Sequence, residues 1–115
     1  MGYTIYHNPR CTKSRQGLAY LKEKGIEPEI RDYLKENISE NELTKVLAEL
    51  GLKPEEIVRK NEAEYKAHFK NKKMSDADWI KAMVKYPKLI QRPIVIHDNK
   101  AVIARPTEKI DEILK

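Results

Sequence analysis

The 115-residue sequence contains a single cysteine, Cys11. A disulfide within the chain is thereby excluded, and any redox cycle on this sulfur must borrow a thiol from another molecule. Such cysteine usage suits a reducing cytoplasm, the compartment expected here. Glycine is also scarce, at four residues, and none forms the G-x-G-x-x-G pattern of a phosphate-cradling loop. The three histidines are scattered, without H-E-x-x-H or C-x-x-C spacing, so no metal site is expected. No apolar run approaches the roughly 20 residues that span a bilayer, and Met1-Gly2-Tyr3-Thr4 lacks the layout of a signal peptide. No membrane association is expected. The charge excess is modest: 23 basic against 18 acidic residues, interspersed as in Lys22-Glu23-Lys24. A nucleic-acid binder would show a basic stripe with aromatics among it. The one dense basic cluster, Lys70-Asn71-Lys72-Lys73, is short and reads as a solvated loop.

What is present suits a globular protein: 40% apolar and 36% charged residues, with a mean hydropathy of −0.73. The length suits one domain, residues 1–115. Tyr3 to His7 reads as a strand, and Asn8-Pro9 as a turn. A helix follows from about Thr12 to Lys24, with Gly25 just past its end. Glu29 to Tyr33 reads as a second strand, which makes a βαβ unit with parallel strands. Ser39 with Glu42 is a capping box ahead of Leu43, Val46, Leu47 and Leu50 at helical spacing. Pro54 opens a short helix, Asn61 to Phe69 is weakly helical, and Ser75 with Asp78 opens another helix. Residues of about 36–88 thus form an all-helical block. Strands return at Pro93 to His97 and Ala101 to Arg105, joined by a tight Asp98-Asn99 turn. Thr107 is placed to cap a last helix. The expected fold is α/β and thioredoxin-like (glutaredoxin-like): a mixed four-stranded sheet, with an all-helical insertion between the βαβ and ββα halves.

Cys11 stands where the first strand has ended and the first helix begins. Free amides and the positive dipole end of a helix favour an anion there, so the thiol ionises more easily. His7, Arg10, Lys13 and Arg15 crowd the same segment with positive charge or its potential. The expectation is a reactive thiolate, with His7 near it as a cation or hydrogen-bond donor. Arg59, Arg92 and Arg105 fall at element ends rather than mid-face. Their planar forks match tetrahedral oxyanions and keep their charge. Pro93, at the start of an inner strand, removes a ladder donor, which a cis bond would explain. His68 reads as a solvated helix residue, and His97 as structural or exposed at a hairpin edge.

Four strings carry a resemblance to a known family: Tyr6-His7-Asn8-Pro9-Arg10-Cys11, Val58-Arg59-Lys60, Gln91-Arg92-Pro93-Ile94-Val95 and Ala104-Arg105-Pro106. In this order the chain resembles the glutaredoxin-coupled arsenate reductases and their Spx-type relatives. The resemblance implies reduction of arsenate to arsenite, with Cys11 as nucleophile and His7 and Ser14 keeping the thiol ionised. It implies an oxyanion site from Arg59, Arg92 and Arg105, with Pro93 as the cis-proline beside it. Arsenate, glutathione as co-substrate and glutaredoxin would be the partners, with no bound cofactor. Arg10 and Thr12-Lys13 are bulkier than the family's usual residues around the cysteine. Two other functions fit the same resemblance. Cys11-Thr12-Lys13-Ser14 is a C-x-x-S pattern that suits a glutathione-dependent thiol–disulfide reductase. An Spx-like regulator that binds RNA polymerase is the other, although Ser14 removes the C-x-x-C switch of its redox-sensing members.

Overall fold

The computed structural model describes residues 2–114. They divide into two compact units, residues 2–36 with 92–114, and Asn37–Gln91.

The first unit holds all four strands: β1 (Thr4–Tyr6), β2 (Glu29–Arg31), β3 (Ile94–His97) and β4 (Lys100–Ile103), with helix α1 (Thr12–Glu23) between β1 and β2. The sheet order is β2-β1-β3-β4. β1 runs parallel to β2 and antiparallel to β3, and β3 pairs antiparallel with β4. Strands of three or four residues offer few ladder bonds, so burial carries the sheet. Ile5, Val95 and Val102 lie in register across its centre and pack with Leu21, Ala104, Ile110 and Ile113. Each such Val, Leu or Ile side chain contributes about 1.5–3 kcal/mol when fully buried.

Local chemistry sets the ends of these elements. At the end of α1, Ile26 N–H bonds the Leu21 carbonyl and Gly25 N–H bonds that of Lys22. With Gly25 at φ +79°, this is a Schellman cap, and Ile26 packs back on the core. Asp98 and Asn99 both take positive φ, 53° and 64°, in the two-residue turn that matches strand twist. β2 stops at Arg31, two residues short of the expectation, because the Asp32 carbonyl turns to accept from Lys35 and Glu36 N–H. β4 stops at Ile103, whose carbonyl accepts from Arg105 N–H within the strand's own end. The last helix, Thr107–Ile113, is a 3-10 helix. Thr107 does not cap it: extended Pro106 occupies that position, and its carbonyl accepts from Lys109 N–H.

The second unit is helical. α2 (Glu40–Leu50) is capped by Ser39, whose hydroxyl accepts from Glu42 N–H at 3.0 Å, and ends at Gly51 with φ +70°. A 3-10 turn (Pro54–Ile57), α3 (Ala63–His68), α4 (Asp76–Lys85) and a second 3-10 turn (Pro87–Leu89) follow. Ser75 and Asp78 cap α4 reciprocally. α4 packs on α2, and Leu43, Leu47, Ile57, Trp79, Met83 and Leu89 are buried. An antiparallel bridge joins Val58, just past the first 3-10 turn, to Ile90 near the end of this unit. It is flanked by Arg59 N–H to the Leu89 carbonyl at 2.7 Å and Gln91 N–H to that of Ile57 at 2.9 Å. Among the described residues, no helix is long and apolar enough to cross a membrane.

Candidate active site

Past β1 the chain makes a tight loop, Asn8–Cys11, that sets the sulfur at the head of α1. The Asn8 carbonyl accepts from Cys11 N–H at 3.0 Å, and its side-chain Oδ1 accepts from Arg10 N–H at 3.0 Å. The fully buried Ser14 hydroxyl accepts from Asn8 N–H at 3.0 Å, which ties the loop to the first turn of the helix. Arg15 adds two outer bonds, to the Pro9 carbonyl at 2.9 Å and to the Thr12 hydroxyl at 3.2 Å. Cys11 is the N-cap residue and has extended backbone angles, so the free amides of the first turn follow it directly.

Two opposed effects act on the thiol. Burial pushes its pKa up. The Ser14 amide, the Arg92 guanidinium and the Lys13 amide outweigh that penalty, and the net shift is downward. Arg105 adds an Nη2 contact to Cys11 Sγ at 3.9 Å. Arg105 is itself aimed by a bond from its Nε to the Arg92 carbonyl at 2.7 Å. The sulfur thus faces two guanidinium groups and two helix amides, with no carboxylate in the first turn of α1. Alkylation of Cys11 by iodoacetamide should therefore rise with pH to a midpoint below the ordinary thiol value. Arg92→Ala should move that midpoint up, and a stopped-flow pH series measures both.

Of the residues expected at the site, Cys11, His7, Ser14, Arg92, Pro93 and Arg105 lie in the first unit, while Arg59 lies in the helical unit. Arg59 is half-buried there and paired with Glu62. The Arg92–Pro93 bond is cis, and so is Arg105–Pro106. His7 departs from one expectation. It is only 6% exposed, and burial lowers its pKa below 6.5. The Asp32 carboxylate opposes that shift and Arg15 reinforces it. The shift favours the neutral imidazole over a cation. His97 is buried too, stacked on Tyr3 with ring centres 3.8 Å apart, whereas His68 is exposed.

Gly17 is a site residue that pattern reading passes over. A Cβ at this position would lie 2.9 Å from Pro93 Cγ, nearer than such contacts run, and 3.7 Å from Ile5 Cδ1. Glycine lets α1 seat against the proline beside Arg92. A glycine inside a helical pattern was the available signal, since it costs about 1 kcal/mol against alanine unless packing needs it. Gly17→Ala should thus destabilise the protein by about 1–3 kcal/mol despite its better helix propensity. Thermal denaturation reads the loss; an unchanged or higher midpoint would show that the proline yields.

A cysteine at the head of the first helix and the order β2-β1-β3-β4, with only β2 parallel to β1, define a thioredoxin-like fold. The chain belongs to the ArsC family, whose model matches residues 6–113. It is 43% identical to the arsenate reductase of Haemophilus influenzae over 116 residues, 99% of this chain and all of that protein. It is 44% identical over 112 residues to YfgD, an uncharacterised protein of Escherichia coli, covering 96% of this chain and 94% of that one. The solved arsenate reductase from Vibrio cholerae superposes with a TM-score of 0.94 at 40% identity, covering 99% of this chain and 98% of that one.

Proposed function

We propose that this protein reduces arsenate to arsenite, with Cys11 as nucleophile, glutathione as co-substrate and glutaredoxin as the protein that completes the cycle. The observation that carries the reading is the convergence of Arg92, Arg105 and the helix amides on one sulfur. A plain disulfide substrate requires no such pair of forks, whereas a tetrahedral oxyanion fits them. Family membership and the similarity to arsenate reductases support the same substrate.

In the proposed cycle the Cys11 thiolate attacks arsenic(V), a sulfur–arsenic bond forms, and one arsenic oxygen leaves as water after taking up protons. The thiol of glutathione forms a second sulfur–arsenic bond, and a second water leaves. A glutaredoxin thiolate then attacks the glutathione sulfur. The new disulfide joins glutaredoxin to glutathione, and the electron pair of the broken bond remains on arsenic, now arsenic(III). Hydrolysis releases arsenite and restores the Cys11 thiolate.

Arg92 and Arg105 hold the oxyanion and offset the repulsion as a thiolate approaches it. Arg59 is proposed as a third fork, which must exchange its Glu62 partner for the anion. Ser14 and His7 support the thiolate. The reducing cytoplasm is the proposed compartment, since glutathione and glutaredoxin act there.

The test is arsenate-dependent NADPH oxidation in the presence of glutathione, glutaredoxin and glutathione reductase, each omitted in turn. Turnover that requires all of them supports the cycle. Turnover without arsenate on a glutathione mixed disulfide would replace it with thiol–disulfide reduction.

A further inference from the structure

His7 and Asp32 are the next residues beyond the Tyr6–Arg31 rung of the parallel pair β1–β2. His7 N–H donates to the Arg31 carbonyl at 3.0 Å, which extends the ladder by one step and brings the two side chains' backbones side by side. Both side chains carry a buried polar atom without a hydrogen-bond partner: Nδ1 of His7 and Oδ1 of Asp32. Buried polar groups of this kind are costly and nearly always paired, directly or through water. They are close enough for the carboxylate to act on the titration of the imidazole, and Arg15 is the other charged group that does so.

We propose that Asp32 is a positioning residue for His7: its Oδ1 and the imidazole Nδ1–H are joined through one bridging water, which fixes the Nδ1–H tautomer. The tautomer of a neutral histidine is set by the hydrogen bond that its other nitrogen makes. Nδ1–H donates to the water oxygen, and the water donates one hydrogen to Oδ1. The lone pair is thereby left on Nε2. In that state Nε2 is the hydrogen-bond acceptor of the ring. The tautomer does not depend on the proposed function.

Asp32 thus has a purpose distinct from that of the turn its backbone carbonyl makes with Lys35 and Glu36. A merely structural aspartate would leave the histidine's tautomer indifferent to its charge. The carboxylate also opposes the loss of basicity that burial imposes on His7, so its removal lowers the histidine's titration midpoint.

The experiment is 15N NMR of histidine-labelled protein at neutral pH, on wild type, Asp32→Asn and Asp32→Glu. Wild type should show a protonated Nδ1 and a bare Nε2 at His7. Asp32→Asn should shift the population toward Nε2–H and lower the His7 midpoint; Asp32→Glu should restore both. An Nε2–H tautomer or an even mixture in wild type would overturn the proposal, whether or not the variants fold. So would a wild-type Nδ1–H tautomer that Asp32→Asn leaves unchanged. Arsenate turnover enters neither readout, so a failure here and a failure of the proposed function are separable.

Discussion

Cys11→Ser is expected to abolish arsenate turnover, with a loss on the order of 10³-fold or more against wild type. The chain has no second cysteine that could take over. Serine retains the volume and the place at the head of α1, but its hydroxyl does not ionise in the range where the thiol does. The amides and guanidinium groups that lower the thiol pKa cannot bring an alcohol to neutral pH. The fold should survive, because Cys11 is only partly buried and its own N–H and carbonyl make the loop bonds. The coupled NADPH assay beside a thermal melt separates loss of chemistry from loss of structure. Residual turnover within tenfold of wild type would remove Cys11 from the reaction.

The second large effect is expected from the arginines. Arg92→Ala removes the guanidinium that most directly lowers the Cys11 pKa and empties one fork of the proposed oxyanion site. Loss of one such donor costs about 10²–10³-fold in rate at comparable oxyanion sites. The sign of its pH effect is set by the same charge. The thiol pKa rises without Arg92, so activity lost near neutral pH should recover in part as pH increases. Arg105→Ala should behave differently. Its contact with the sulfur is longer, 3.9 Å, and its Nε anchors to the Arg92 carbonyl. Its removal should raise KM for arsenate more than it shifts the pH profile. Arg105→Lys retains charge but loses the Nε bond that aims the side chain, so it should not restore wild-type affinity. Unchanged arsenate kinetics in both alanine variants would dismiss the oxyanion site.

The features readable from sequence are those whose cause is local. Ser39 with Glu42 and Ser75 with Asp78 cap helices within four residues, and both do so in the structure. Gly25, Gly51 and the Asp98-Asn99 turn depend on backbone angles that their own residue types allow. Cys11 at a strand–helix junction is likewise a local pattern. The overlooked features join distant parts of the chain. The Arg105 bond to the Arg92 carbonyl spans a hairpin, and the approach of Gly17 to Pro93 joins α1 to β3. The lowered pKa of His7 comes from burial, and the influence of Asp32 on it comes from the β1–β2 register. None of these has a signature in a short window. Thr107 shows the opposite error: a good capping residue in the right neighbourhood is displaced by Pro106, whose rigid extended backbone takes the cap position.

Bonding of arsenic to Cys11 is read by mass spectrometry: the protein is incubated with arsenate and glutathione, without glutaredoxin, and digested under acid conditions. An arsenic and glutathione adduct confined to the Cys11 peptide, missing in Cys11→Ser and reduced in Arg92→Ala, is the predicted result. A Cys11 that reacts readily with iodoacetamide yet never carries arsenic would remove it as the nucleophile of arsenate reduction.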